Sequence, residues 1–447
     1  MRSYKKIMPL FLIVALFGSA AFSLKNRSDT YNDYLSALNE ARKYASEGIE
    51  ADAITSYKKA ISLYPTKEAY LEAGQVFLDN GDYSGAKRWY KEHLKADLPN
   101  DPDTYAYGIK MYLEKNNYRS AFDVYDEYKN RGLSSDSVEA AISEIKYKYD
   151  LVGKFADVGL FSELTGTAPV KEVDGKWGYI TSGMSRELPY IYNSAFTFGT
   201  YAAVKDMDNN PYYIDRDGNI KINERVMLDA DPELGKVCEF KKVQSSLLLV
   251  YNGSIWNYYD SSDYSKRFGG YAFATPINNG AGAVSQDGKK WALISAKGDL
   301  LTDYVFSDVV RDENDLVCRT GIVTAKDESG YIFLDNTGAQ IGTASYDKAD
   351  MFFDDSYAAV QKNGQWFYIN PDGETVLTVS AEEARSFSKG LAAVKRDGKW
   401  GYINTLGEQA IPCVFEDVRY FNYNGTAFVK NEQNEWNLLE LYEFNHG

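Results

Sequence analysis

This chain predicts a helical-repeat segment followed by an all-β repeat domain. Two internal periodicities and the break between them carry that prediction. From about residue 30 to 150, apolar residues recur at the 3.6-residue period of a helix, with a longer repeat of about 33–34 residues superimposed. From about Gly153 the pattern alternates with period two, and Gly, Asn and Asp interrupt it at regular intervals. Within that second part, Arg396-Asp397-Gly398-Lys399-Trp400-Gly401-Tyr402-Ile403 is echoed by Asp174-Gly175-Lys176-Trp177-Gly178-Tyr179-Ile180 and by Asn363-Gly364-Gln365-Trp366-Phe367-Tyr368-Ile369.

Composition bounds the rest. A chain of 447 residues exceeds one ordinary domain, and 37 Tyr supply enough aromatic surface to build large cores. The formal net charge of -15 and the lack of a basic stripe argue against nucleic acid as a partner. Cys238, Cys318 and Cys413 are odd in number and form no CxxC pair, so neither a disulfide framework nor a zinc site is expected. Their apolar neighbours predict buried structural thiols. At the N-terminus, Arg2, Lys5 and Lys6 precede an apolar run from Ile7 to Leu24. Residues 1–26 therefore read either as a cleaved signal peptide, with Ala21-Phe22-Ser23 at the cleavage site, or as an uncleaved signal anchor. Both place the remainder outside the cytoplasm, with the membrane touched through this segment only.

Residues 27–150 form the helical domain. Tyr44, Gly48, Ala53, Tyr57, Ala60 and Pro65 make one set of small and aromatic positions. Gly74, Phe77, Gly81, Tyr83, Ala86 and Tyr90 make the next, and Tyr112, Tyr118, Ala121 and Tyr125 a third. Small residues let paired helices approach, aromatics fill the space between pairs, and Asn80-Gly81-Asp82 and Asn116-Asn117 supply turns. These positions resemble tetratricopeptide (TPR) repeats, three units over roughly residues 34 to 135. A further helix from about Ser135 to Tyr149 would cap the stack. The chain departs from the family at the early Trp and at His93, where Ala is usual. The resemblance implies a concave groove lined by Leu38, Arg42, Leu71, Gln75, Ala106 and Lys110. The basic and amide set that clamps a peptide carboxylate in some family members is absent, and the alternative is a purely spacing role.

Residues 151–447 hold eight units whose aromatic strands end at Ile180, Ile214, Tyr259, Ile294, Leu334, Ile369, Ile403 and Leu439. Most intervals are 34–36 residues, with longer ones before Tyr259 and Leu334. In the unit from Leu391 to Ile403, Asp397-Gly398 predicts a type I′ turn. That turn pairs Val394 with Gly401 and Ala392 with Ile403 on one face, and Lys395 with Trp400 and Ala393 with Tyr402 on the other. Gly401 leaves a space for Val394 or a neighbouring sheet. A sheet apolar on both faces must be stacked between others. A second apolar strand follows each hairpin, with Pro189 and Pro412 suited to an edge, giving about three short strands per unit. The Trp-Gly register is similar to the WG (KWG) repeat of bacterial proteins over about residues 155 to 447, carried by Trp177, Gly178, Trp256, Trp291, Trp366, Trp400, Gly401 and Trp436. The predicted fold class is thus an N-terminal TPR α-solenoid and a WG-repeat β domain. A β-propeller of seven or eight blades is favoured, with an open β-solenoid or twisted ribbon as the alternative.

No catalytic constellation is visible. His93 and His446 are the only histidines and stand beside no recognisable nucleophile. Asp206-x-Asp208-x-Asn210 starts like a calcium loop, but Pro211 sits where Gly must turn. Neither a cofactor nor a metal is expected. The WG-repeat resemblance implies binding or scaffolding, with the Trp residues used in packing. The expectation is a non-enzymatic, extracytoplasmic bacterial protein that binds another protein or a cell-envelope polymer. The alternatives are a cell-wall glycan hydrolase using carboxylates at a propeller mouth, and a sensory ectodomain.

Overall fold

The computed structural model describes residues 29–95, 101–241, 246–354 and 356–444. They form two compact units, divided between Lys148 and Tyr149. The expected signal segment lies outside the described residues, and no described helix is long and apolar enough to cross a membrane.

The first unit is three helix pairs and a last helix: α1 (29–46), α2 (Glu50–Leu63), α3 (Lys67–Asp79), α4 (Tyr83–Lys95), α5 (Pro102–Leu113), α6 (Tyr118–Asn130) and α7 (Asp136–Ser143). Local chemistry starts the helices. The side chains of Thr66, Asp101 and Asn117 accept from the backbone N–H of Ala69, Asp103 and Ser120, satisfying donors that a helix leaves open. The small and aromatic positions interlock as expected. A Cβ on Gly74 would lie 2.6 Å from the Tyr107 ring, and one on Gly108 would lie 2.6 Å from the Tyr90 ring. The Tyr107 hydroxyl donates to the Gly74 carbonyl at 3.0 Å. His93 is 1% exposed and stacks on Tyr70 with ring centroids 4.6 Å apart. The last helix stops at Ser143, short of the expected Tyr149, because Tyr149 already belongs to the β unit.

The second unit contains eight small antiparallel sheets, one for each repeat. In six of them the strand order is sequential or closes on itself with four strands, which corrects the expectation of three. The extra strand is a two-residue innermost piece such as Asp157–Val158, Lys348–Ala349 or Asp417–Val418. The sheets at 273–306 and 308–346 have three strands, and their outer edge is met by single bridges at Leu300, Phe306, Gln340 and Tyr346. The repeat at 383–415 pairs Val394 with Gly401, Ala392 with Ile403, Lys395 with Trp400 and Ala393 with Tyr402, in the register expected from its turn. Asp397 and Gly398 take φ of 50° and 75°.

Packing between sheets makes this a propeller. Trp366 and Tyr368 of one repeat share a buried cluster with Ala392, Val394 and Ile403 of the next. Tyr179 of the first repeat shares one with Ala202, Val204 and Ile214 of the second. The ring closes through Tyr149–Phe155, which lies beside Trp436–Leu441 as the outer strand of the last sheet. Phe155, Phe428, Trp436 and Leu438 of that sheet then pack on Val158, Ala168, Val170 and Ile180 of the first repeat. The first strand of the β unit, borrowed by its last sheet, selects the closed propeller over the open ribbon, with eight blades.

The space over Gly401 is filled by neither Val394 nor another blade. A Cβ there would sit 2.6 Å from the backbone of Ile411, Pro412 and Cys413, on the outer strand of the same blade. That strand bulges, since Trp400 pairs with Phe415 but Tyr402 pairs with Ile411. Gly178 serves the same need beneath Leu188 and Tyr190. Where Asn replaces this Gly, the outer strand carries glycine instead. Asn257 accepts from the Gly270 N–H, and Asn437 donates to the Gly153 carbonyl at 2.6 Å.

Two measurements check this account. Gly401→Ala is expected to lower the stability of the β unit by about 1–3 kcal/mol through overpacking against backbone. Gly183→Ala, which meets nothing closer than 4.0 Å, stays within about 0.5 kcal/mol, both read from urea midpoints. Burial holds His93 down at about 4. A depressed His stabilises the fold above its unfolded value near 6.5 and loses that contribution as pH falls towards 4. The helical unit is expected to lose on the order of 3 kcal/mol over that window, with His93→Gln flattening the loss in thermal melts.

Candidate functional site

In every blade the chain runs from the innermost strand through a loop to the second strand, and these loops share one face. The turns between third and fourth strands lie on that face too. Arg216, in such a turn, donates to the Leu164 carbonyl in the preceding blade's inner loop at 2.9 Å. Asn336 likewise donates to the Asn279 carbonyl at 3.0 Å, and in the reverse sense Asn424 of the last blade's inner loop donates to the hydroxyl of Ser182, in the first blade's turn, at 2.7 Å. The inner loops therefore surround one axial mouth.

The floor of the mouth is held by the repeat itself. Fully buried tyrosines of the aromatic strands donate to an inner-strand carbonyl of the next blade: Tyr179 to Phe196 at 2.8 Å, and Tyr213 to Lys241, Tyr258 to Thr275 and Tyr402 to Arg419, each at 2.7 Å. Burial pushes these phenols well up, which keeps them protonated as donors.

One loop differs from the others. The longer interval before Leu334 is spent on residues 310–321, which cross the axis. Asp312 accepts from the loop's own Asn314 and Leu316 N–H groups, and Asp315 adopts a φ of 60°. From this loop Glu313 reaches Arg419 at 2.8 Å and Asp315 reaches Lys241 at 2.7 Å. The Cys318 carbonyl accepts from Asn278 at 2.8 Å. Arg319 donates through Nε to the Phe353 carbonyl at 3.1 Å, through Nη1 to Asp312 at 2.8 Å, and through Nη2 to Glu163. The loop thus touches five other blades. The Arg419 contact is close but out of line, so its Nε makes no hydrogen bond.

Two cavities flank the Arg319–Glu163 pair. One, of 220 Å³, is lined by Phe161, Phe353, Asp354, Lys389, Tyr420 and Asn422 among others. The second, of 150 Å³, adds Phe198, Asn278, Asn279 and Leu316. Arg319 lies 4.0 Å over the Phe353 ring, which stacks on Tyr420 at 3.7 Å. The Tyr420 hydroxyl donates to Asp350 at 2.5 Å.

None of the predicted groove positions or repeat-signature Trp and Gly residues lines this mouth. Trp256, Trp291, Trp366, Trp400 and Trp436 are buried in the blades, while Trp177 is only half-buried. Some carry cations on their faces, as Arg385 does on Trp400 and Arg419 on Trp436. In the helical unit Leu38 is 2% exposed, so it belongs to the core and not to a groove surface. Arg42 is bound to Glu68 and Glu72, each at 2.7 Å. Lys110 donates to Gln75 at 2.9 Å, while Leu71 and Ala106 are half-buried. Cys318 is buried, which pushes its thiol up to about 11, but Cys238 and Cys413 are half-buried, contrary to expectation. Asp206 spends its carboxylate on its own turn, accepting from Asp208, Asn210 and the Asn210 amide.

Residues 333–366, 366–400 and 400–436 match the WG containing repeat. Among solved structures the chain is similar to BamB from Moraxella catarrhalis, at 12% identity and a TM-score of 0.42 over 65% of this chain and 99% of that one. It is similar to the WD40 β-propeller domain of Doa1, at 9% identity and 0.33 over 65% and 96%. It is also similar to PorZ of Porphyromonas gingivalis, at 10% identity and 0.31, covering 63% of this chain and 42% of that chain. A search of curated proteins found no match.

The crossing loop titrates. Burial pushes the Glu313 carboxyl up to about 7, against the pull of Arg419 and Arg385. About a third of the Glu313 side chain remains exposed. A raised carboxyl contributes stability below its ordinary value near 4.5 and loses it as pH climbs through 7. Intrinsic-rate-corrected amide exchange at residues 311–316 is expected to accelerate over that range, and Glu313→Gln to remove the pH dependence.

Proposed function

We propose that this chain, a carrier of WG repeats on an eight-bladed propeller, acts by binding a partner and not by turning one over. One observation supports the reading most: seven blades contribute inner-loop residues to a single mouth, where Glu163 and Arg319 pair with each other and Tyr423 and Leu164 are left exposed at the rim. Exposed aromatic and aliphatic side chains around a polar pocket are the makings of an interaction hot spot. The partner class is a protein or cell-envelope polymer outside the cytoplasm. That location rests on the basic and apolar N-terminal pattern alone. In the helical unit, the remaining predicted groove positions Arg42, Leu71, Gln75, Ala106 and Lys110 offer a second surface for a protein partner.

A glycan hydrolase is the second reading, favoured by one feature. Glu163 and Asp354 bring two carboxylates to the same cavity. Both are already engaged, Glu163 by Arg319 and Asp354 by Ser356 and the Lys389 N–H, which speaks for structure over proton transfer.

A photo-crosslinker placed at Tyr423 of the full chain, with one at the exposed Val173 turn on the opposite face as control, tests the proposal. The binding reading expects a discrete adduct from Tyr423 alone, in intact cells. Shortened glycan products that vanish in Glu163→Gln and Asp354→Asn would replace it with the hydrolase.

A further inference from the structure

Arg319 is held in a way that an ordinary surface arginine is not. Its side chain is 10% exposed. The guanidinium sits 4.0 Å over the Phe353 ring and donates Nε–H to the Phe353 carbonyl and Nη1–H to Asp312, whose own side chain is fully buried. Three contacts therefore fix its plane, and the remaining nitrogen points to the mouth. The group meeting that nitrogen is of a different kind. Glu163 is 71% exposed and sits on the inner loop of the first blade. A pair with one member largely in solvent is weak and exchanges readily. A charged N–H donor whose direction is already fixed matches a carboxylate oxygen, and prior fixing removes the ordering cost of binding one.

Two further features lie beside it. Asn422, which lines the same cavity, keeps a buried amide nitrogen with no acceptor. Buried donors without partners are rare and call for an acceptor from elsewhere. The two cavities, of 220 and 150 Å³, share Phe161, Ser162, Glu163 and Arg319, and each is smaller than the roughly 300 Å³ at which ligand sites begin. Glu163 lines both.

We propose that Arg319 is a receptor for a peptide carboxylate, and that Glu163 occupies it in this structure as an internal stand-in. The ligand is an acidic side chain or chain end of a protein, with an apolar neighbour resting against Phe161 and Phe421 and a carbonyl meeting Asn422. A peptide is favoured over an acidic sugar because Phe161, Phe353 and Phe421 line the cavity and the spare donor is a buried amide. The net charge of -15 is no barrier, because at physiological salt fields fade over about 8 Å. This deepens the binding reading above and rests on it.

The test titrates the full chain with the blocked dipeptide acetyl-Phe-Glu-amide, its Phe-Gln counterpart, and galacturonate. Glu163→Ala, an exposed change, is expected to tighten the Phe-Glu probe at least tenfold over wild type while leaving Phe-Gln unbound. Arg319→Gln abolishes binding, and Arg319→Lys restores part of it, with thermal melts confirming that each variant is folded. Equal binding of Phe-Glu and Phe-Gln, no gain in Glu163→Ala, or a response to galacturonate alone would overturn the proposal. A Tyr423 adduct that persists when the peptides fail sinks this proposal and leaves the binding reading standing; loss of both removes the reading itself.

Discussion

The β unit depends on every blade burying both of its faces. A hairpin with Val and Ala on one side and Tyr on the other has no exposed side to spare, so it is stable only between two others. The buried tyrosine sets how the neighbours sit. Its ring packs against an aromatic residue beside the next inner strand, such as Phe198, Phe240 or Phe421, at centroid distances of 4.8, 4.4 and 4.8 Å. Its hydroxyl takes a carbonyl of that strand. A buried hydroxyl left without an acceptor is costly, so this bond fixes depth and rotation together. The sites without it show what is essential. Leu293, Phe333 and Leu438 keep the apolar contact, and the Tyr368 hydroxyl has no partner but its ring still meets Phe387 at 4.7 Å. Apolar packing therefore carries the ring, and the hydrogen bond refines it.

The WG pair has separate tasks. Trp covers the blade end and serves as a platform for axial cations, worth about 0.5–2 kcal/mol each where water is excluded. Gly is required by its own outer strand, whose bulge brings backbone to within a side chain's reach. The exchange of Gly for Asn at 257 and 437, matched by glycine across the pair at 269–270 and 153, shows one constraint met in two ways.

Closure and function meet at the axis. Seven inner loops of ordinary length would leave the channel open. The eighth, at 310–321, fills it with acidic groups that reach Arg419 and Lys241, and with Leu316, Val317 and Cys318, all buried. By crossing, it also fixes Arg319 at the mouth.

Much of this was legible in the residues alone. Eight aromatic registers, the pairing of Val394 with Gly401 and the Asp397-Gly398 turn follow from local patterns of two and a few residues, which the backbone obeys wherever the segment lies. The three helix pairs follow in the same way from their small and aromatic spacing. What needed the tertiary structure spans long separations. Closure joins Tyr149–Phe155 to Trp436–Leu441, almost the whole unit apart, and no local signal marks Tyr149 as a strand instead of the end of a helix. The buried state of Leu38, the partner of Gly401 and the path of the 310–321 loop depend on which surfaces meet in space. The extra length before Leu334 announced the loop, but only the ring of eight blades placed Glu163, Phe353 and Asp312 around Arg319.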